Sequence, residues 1–388
     1  MAIGCAQPEG TIGSGVGGGP EGLPKQIECQ AQTDTSFKVF DIGTGGSAYT
    51  YIGASNGVTS EGLLRFNRPL APAGMRVDSA RIEVAYQGGI GSGAIPTVEA
   101  SLVYFPWIET HPPARSDVVG GRQLVASESS NADTGRYHFV VDTAEVNAWF
   151  KVVDSTRADT GWADPARPDT ALTIVLRSLN AVDKLLRFRS RGANADSLRP
   201  YLMIFATFSD SIGSDTIRIG AHSDLFLAED SNPLPANRLS VGGGAVLRSA
   251  LNFKLDSLWS LRASNYIVVN RAVLTLTKDR SLYTWAPVNK SVWPYQMTSK
   301  RWMTEPDSAE YSGFVLTPTA VDSTLDTLQI LISGPTVHWA RGDSTNFGLL
   351  IESAGEGLDI ERIGFYDSSD PDPAKRPRLT VYYTELQR

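Results

Sequence analysis

The chain holds two cysteines, four histidines and no run of 18 or more apolar residues. Two thiols exclude a disulfide-dense scaffold and a four-thiolate zinc site. His111, His138, His222 and His338 are not spaced as a paired metal-binding motif, and neither cysteine stands near them. The missing apolar run excludes a membrane-spanning helix. No Gly-x-Ser-x-Gly elbow occurs: Ser14 and Ser92 sit among glycines, but without the strand–turn–helix setting that a nucleophile needs. Basic charge is in deficit, with a net charge of −7, which argues against a nucleic-acid binder that works by neutralising phosphates. Helical periodicity is scarce. Thr143 to Val153 predicts one short helix, with Asp142 or Thr143 as its N-cap and Val146, Trp149 and Phe150 on one face.

What is present is β pattern. The 388 residues suit about two domains, and 41% hydrophobic residues are enough for packed cores. Ala80–Tyr86, Tyr137–Val141, Leu172–Leu176, Ala272–Thr277 and Leu328–Ile332 read as β-strands, several of them alternating apolar and polar side chains. The segments between them carry Gly, Pro, Asn, Asp and Ser. The two halves also repeat each other. Leu63-Leu64-Arg65-Phe66 matches Ala250-Leu251-Asn252-Phe253, and Val77–Val84 matches Val269–Leu276. Val146–Trp149 is echoed by Val337–Trp339, and Thr170–Ser178 matches Thr345–Ser353. Phe188 followed by Arg199-Pro200 matches Phe365 followed by Arg376-Pro377. A repeat of this size is a domain, not a solenoid unit. The order of matches predicts an all-β chain of two tandem jelly-roll-like antiparallel sandwiches. The expected limits are an extended Gly-rich arm over 1–36, a first sandwich over 37–208 and a second over 209–388.

The second half resembles the DNRLRE-type modules of bacterial extracellular proteins. The resemblance rests on Asn237-Arg238-Leu239-Ser240-Val241-Gly242, Arg248–Phe253, Trp302-Met303-Thr304-Glu305-Pro306, residues 346–351, Phe365–Ser369 and Arg376–Val381. It covers most of 220–384. The first half resembles the family more loosely, through Tyr51–Gly53, Leu64–Phe66, Trp107–Glu109 and Arg199-Pro200. The resemblance implies jelly-roll sandwiches, an extracellular setting and no catalysis. Modules of this family accompany polysaccharide-degrading enzymes or surface proteins, and some are similar to carbohydrate-binding modules.

Met1–Cys5 resembles the end of a bacterial lipoprotein signal, in which a small residue precedes a cysteine that becomes lipidated. Cys5 is the candidate lipid anchor; a Cys5–Cys29 disulfide and two plain thiols are the alternatives. The glycine-rich stretch over 10–22 has neither a strand before it nor a helix pattern after it, so it reads as a tether and not a phosphate loop.

Aromatic rings stack on sugar faces and anchor protein interfaces. Trp285, Trp293, Tyr295 and Trp302 crowd a turn-rich stretch and are the candidate partner- or ligand-binding residues; Trp149 and Trp339 read as core. Asp367, Asp370 and Asp372 are candidate Ca²⁺ ligands, although their spacing is not that of a Ca²⁺-binding hand. A proline-stiffened turn is the plainer reading, and no other cofactor is expected. Glu109 and Glu305 follow Trp107 and Trp302 at matched places and read as a duplicated loop motif. Lys184–Arg191 alternates charge with hydrophobes, as a half-exposed strand with an Arg-rich face does.

The sequence therefore leads to a non-enzymatic, extracytoplasmic structural or assembly subunit of a cell-envelope complex. That complex is a surface layer or a large membrane assembly whose extrinsic subunit this is, and its other protein subunits are the expected partners. The alternative is a surface protein that binds polysaccharide through the Trp/Tyr-rich loops.

Overall fold

A computed structural model describes residues 23–39, 43–68, 74–103, 107–118, 122–123, 135–151, 171–180, 182–209, 214–282, 290–306 and 309–386. The fold is all-β, 54% strand and 13% helix, and antiparallel in its sheets. In chain order the first strands are β1 (Lys25–Lys38), β2 (Tyr49–Ser55), β3 (Val58–Asn67), β4 (Met75–Ile90), β5 (Val98–Val103), β6 (Arg122–Gln123) and β7 (Arg136–Val141). Helix α1 (Thr143–Lys151) follows, then β8 (Ala171–Ser178), β9 (Lys184–Arg189), β10 (Tyr201–Phe208), β11 (Ser214–Gly220) and β12 (Ser223–Asp230). The rest comprises β13 (Arg238–Gly242), β14 (Leu247–Phe253), α2 (Asp256–Ser264), β15 (Tyr266–Thr277), β16 (Ser291–Met297), β17 (Tyr311–Val315) and β18 (Thr319–Ala320). It ends with β19 (Thr327–Leu331), α3 (Ser333–Arg341), β20 (Leu349–Ser353), β21 (Arg362–Tyr366) and β22 (Arg378–Leu386).

Hydrogen bonding joins these strands into two sets of eleven, and each set wraps around its own core. In the first set, β7, β4, β10 and β11 form one layer. β9, β2, β3, β8 and β5 form the facing one, with β12 on β3. Ile82, Phe139 and Ile204 of the first layer meet Ile52, Leu64, Ile174 and Phe188 of the second, all fully buried. Strand β4 belongs to both layers: it pairs with β7 and β10, then turns to pair with β9 after a register shift between Tyr86 and Gly89. Gly88, at φ 97°, supplies the left-handed backbone of that bend, which a side chain would strain.

The second set repeats the plan. β1, β22, β15 and β19 form one layer. β14, β20 and β16 form the core of the other, with β13 and β21 paired beside them. Leu274, Ile330 and Val381 meet Leu251, Leu349, Ile363 and Phe365 in its core. The expected helix is found over Thr143–Lys151; Asp142 caps it, its Oδ1 accepting the Ala144 N–H at 2.8 Å. Its counterpart α3 buries Trp339 and stops at Gly342, whose φ of 72° permits a left-handed C-terminal turn.

The strand pairing departs from the expected limits at both ends of the first half. Residues 25–36, placed by sequence in a free arm, lie within β1 and pair with strands of the second sandwich. Residues 214–230, placed beyond the boundary at 209, pair with β10 and β3 and complete the first. The physical reason is that β1 fits the edges of β14 and β22, and β11 and β12 fit those of β10 and β3, whichever repeat precedes them in sequence.

Candidate functional site

Strand β1 is the most distinctive feature of the molecule. It closes the seam between the two layers of the second sandwich. Lys25–Gln30 pairs with β22, with Ile27 opposite Val381 and Cys29 opposite Leu379. After a shift between Ala31 and Thr33 the strand pairs with β14, placing Asp34 opposite Leu251 and Ser36 opposite Ser249. Cys29 is buried in the main core, and Ile27 and Ala31 pack against it. Burial pushes the Cys29 thiol up to about 11. Phe37 is buried in a second cluster with Ala250, Tyr295, Trp302 and Leu350.

Polar contacts fix the register. The Ser36 and Ser249 hydroxyls are 2.9 Å apart, and Ser36 Oγ also accepts the Ser240 N–H at 2.8 Å. Asp34 accepts the Ser368 N–H at 2.7 Å; burial pushes its carboxyl up to about 6, against the lowering effect of that bond. Lys25 pairs with Glu385 at 2.8 Å, and Lys38 donates to the carbonyls of Asp230 and Asn232 at 2.5 and 3.2 Å. The docking thus combines main-chain ladders with side-chain pockets, the two components of strand addition to a sheet edge. The sequence carried one signal for it: Ile27, Cys29 and Ala31 alternate with polar residues.

Among the described residues the aromatic candidates are not brought together as a platform. Trp302 is fully buried, its Nε1 donating to the Phe347 carbonyl at 2.8 Å. Tyr295 is buried against Tyr311, and burial pushes its phenol up to about 12. Both are corrected from binding residues to core residues. Their rings fill the pocket that receives Phe37. Trp293, on β16, is 37% exposed. Trp285 lies outside the described residues, as does Cys5.

The three aspartates serve their own loop. Asp367 Oδ1 accepts the Ser369 N–H and hydroxyl, at 2.9 and 2.8 Å. Asp370 accepts the Asp372 N–H and pairs with Arg238 at 3.1 Å, and Asp372 accepts the Ala374 N–H. These are the Asx turns that short acidic residues make with backbone two positions on. Among the described residues no group of three or more His, Cys, Asp or Glu is arranged to hold a metal ion.

Glu109 binds Arg191 through two short bonds and accepts the Asp224 N–H at 3.1 Å, whereas Glu305 pairs with Arg301 at the surface. On the Arg-rich strand β9, Arg187 and Arg189 both lie over the Tyr49 ring, at 5.0 and 4.8 Å. The two sandwiches meet beside it. Tyr51 donates to Asp359 Oδ1 at 2.8 Å, Ser47 donates to the Leu358 carbonyl at 2.7 Å, and Ile360 joins Tyr51 and Phe226 in one apolar cluster. Burial raises the Asp359 carboxyl and lowers the Lys290 ammonium to about 8.

No family model matches the chain, and no curated protein is significantly similar to it. Among the described residues no helix is long and apolar enough to cross a membrane.

Proposed function

We propose that this protein is a non-catalytic, extracytoplasmic structural subunit that builds cell-envelope assemblies through edge-strand docking. The supporting observation is β1: a segment about 360 residues distant along the chain from some of its partners completes the second sandwich by main-chain pairing on both layers. Strand addition to a sheet edge is a recurring mode of attachment between proteins. On this reading both halves are jelly-roll sandwiches of the DNRLRE type, and Cys5 anchors the chain through lipid. The burial of Trp302 and Tyr295 removes two of the rings on which polysaccharide recognition rested.

The test is purification of the native protein from membranes under mild detergent. The expected result is co-migration with stoichiometric protein partners or with further copies of itself. A protein that runs alone, and binds a glycan array in a manner lost in Trp293→Ala, would overturn the reading in favour of carbohydrate binding. Mass spectrometry of the N-terminal peptide decides the state of Cys5.

A further inference from the structure

The two sandwiches have equivalent seams, and each is closed by the leading strand of the other repeat. In the first, β11 lies on β10 with Ile219 opposite Leu202 and Ile217 opposite Ile204. In the second, β1 lies on β22 with Cys29 opposite Leu379 and Ile27 opposite Val381. The correspondence continues across the bend. The Ala221 N–H donates to the Pro200 carbonyl at 3.0 Å, and the Ala31 N–H donates to the Pro377 carbonyl at 3.2 Å. Beyond the bend, β12 sets Asp224 opposite Leu64 of β3, and β1 sets Asp34 opposite Leu251 of β14. Asp224 accepts the Arg191 N–H and Asp34 accepts the Ser368 N–H, both at 2.7 Å.

These matches assign 25–38 and 214–230 as the same element of two repeats. Each leads its repeat in sequence: β1 precedes β2, and β11–β12 precedes β13. Yet β1 is lodged in the second sandwich and β11–β12 in the first. The chain therefore contains a completed strand exchange between its own repeats. Every contact that β1 makes in the second seam is available to β1 of another molecule, because the seam is identical in each copy and only which copy supplies the strand differs. Exchange between chains is then a change of connectivity with conserved contacts, the condition under which domain swapping occurs at low cost.

We propose that the seam between β14 and β22 is an exchangeable docking site, and that in the assembled state it receives β1 of a second copy of this chain. The inference rests on the assembly reading above and names its partner. A contact in which one copy gives a strand and another receives it is heterologous, so it propagates head to tail unless the rotation closes a ring.

The test uses full-length chain in a Cys5→Ser, Cys29→Ala background. Ser36 and Ser249 face each other in register. Ser36→Cys and Ser249→Cys are placed first on one chain and then on separate chains, which are mixed, unfolded, refolded together at rising concentration and oxidised. The expected result is a covalent heterodimer in the mixture that increases with concentration and is absent from either single variant. Closure of the double variant wholly within one chain, with no heterodimer in the mixture at any concentration, would overturn the proposal. Failure of the double variant to form any disulfide would overturn it too, since β1 would not then occupy the seam. Either failure leaves the membrane co-purification result untouched, so the two readings fall separately.

Discussion

Asp34 and Asp224 hold one position in two sandwiches. Each stands opposite a buried leucine, Leu251 and Leu64, and each accepts a backbone N–H from the loop that follows a strand, Ser368 after β21 and Arg191 after β9. Both carboxyls are pushed up by burial, Asp34 to about 6 and Asp224 to about 7. The seam thus places one buried acid per sandwich where a strand crosses from one layer to the other.

A pH dependence follows from this burial. An unfolded aspartate titrates near 3.9, so from there to about 7 the folded chain binds more protons at Asp34 and Asp224 than the unfolded chain does. Stability contributed by these groups therefore falls as pH rises through that window and returns as pH falls toward 4. Glu352, pushed up to about 7 by burial and by Glu356, acts in the same direction. Thermal unfolding followed by circular dichroism is expected to give a higher midpoint near pH 5 than near pH 8. Asp224→Asn keeps an acceptor for the Arg191 N–H and is expected to flatten the slope; an unchanged slope would remove Asp224 as its source.

Trp302 and Trp293 separate core from surface. Trp302→Ala deletes a fully buried indole bonded to the Phe347 carbonyl, and loses about 3–5 kcal/mol of stability. Trp293 is 37% exposed, and Trp293→Ala is expected to stay within roughly 0.5 kcal/mol of wild type. Urea denaturation of the two variants reads both values. Comparable losses would mean that the indole of Trp293 is packed against a partner or a neighbouring loop.

Why composition could not distinguish those two tryptophans is a matter of locality. Alternation fixes which face of a strand is apolar, so the β class, the strands at Ala80–Tyr86 and Ala272–Thr277 and the helix after Asp142 were all readable. Duplication made Trp149 and Trp339 readable as core, because the same ring recurs at the same place. Trp302 and Tyr295 offered no such periodic cue: they line a pocket filled by Phe37, which lies more than 250 residues away. The exchange itself leaves no local trace. Ile27, Cys29 and Ala31 would alternate in the same way whichever seam received them, and Ile217 and Ile219 present the same pattern. Helix α2 escaped notice because Leu258 is the one residue it fully buries, too little for a stripe.

The contact between the sandwiches is testable at Tyr51. Its hydroxyl donates to Asp359, a carboxyl already raised by burial, and its ring packs on Phe226 at 5.1 Å. Tyr51→Phe keeps the ring and removes the donor; Asp359 Oδ1 still accepts the Ile360 N–H at 2.8 Å, so the cost is that of one lost bond, about 0.5–1.5 kcal/mol. That loss falls on the junction between two separate cores. Calorimetry is expected to show the unfolding transition broadening or dividing in two. A single transition of unchanged width would mean that Ile360 and Ser47 suffice to couple the sandwiches.

Cys29 is a natural reporter of the seam. It is 3% exposed on β1, and burial holds its thiol up near 11, so it is unreactive while the strand is docked. Reaction with a thiol reagent at neutral pH therefore requires β1 to leave or the second sandwich to open. Phe37 anchors the far end of the same strand in the pocket with Trp302 and Leu350. Phe37→Ala vacates that pocket at a cost of about 3–5 kcal/mol. In a Cys5→Ser background this variant is expected to label at Cys29 much faster than the parent. A matched cavity in the first sandwich, Phe139→Ala, removes a fully buried ring remote from β1 and is expected to leave the labelling rate nearly unchanged. The contrast separates release of β1 from general loosening: if both cavities accelerate labelling equally, Cys29 is reached by global unfolding, and β1 does not leave its seam as an independent unit.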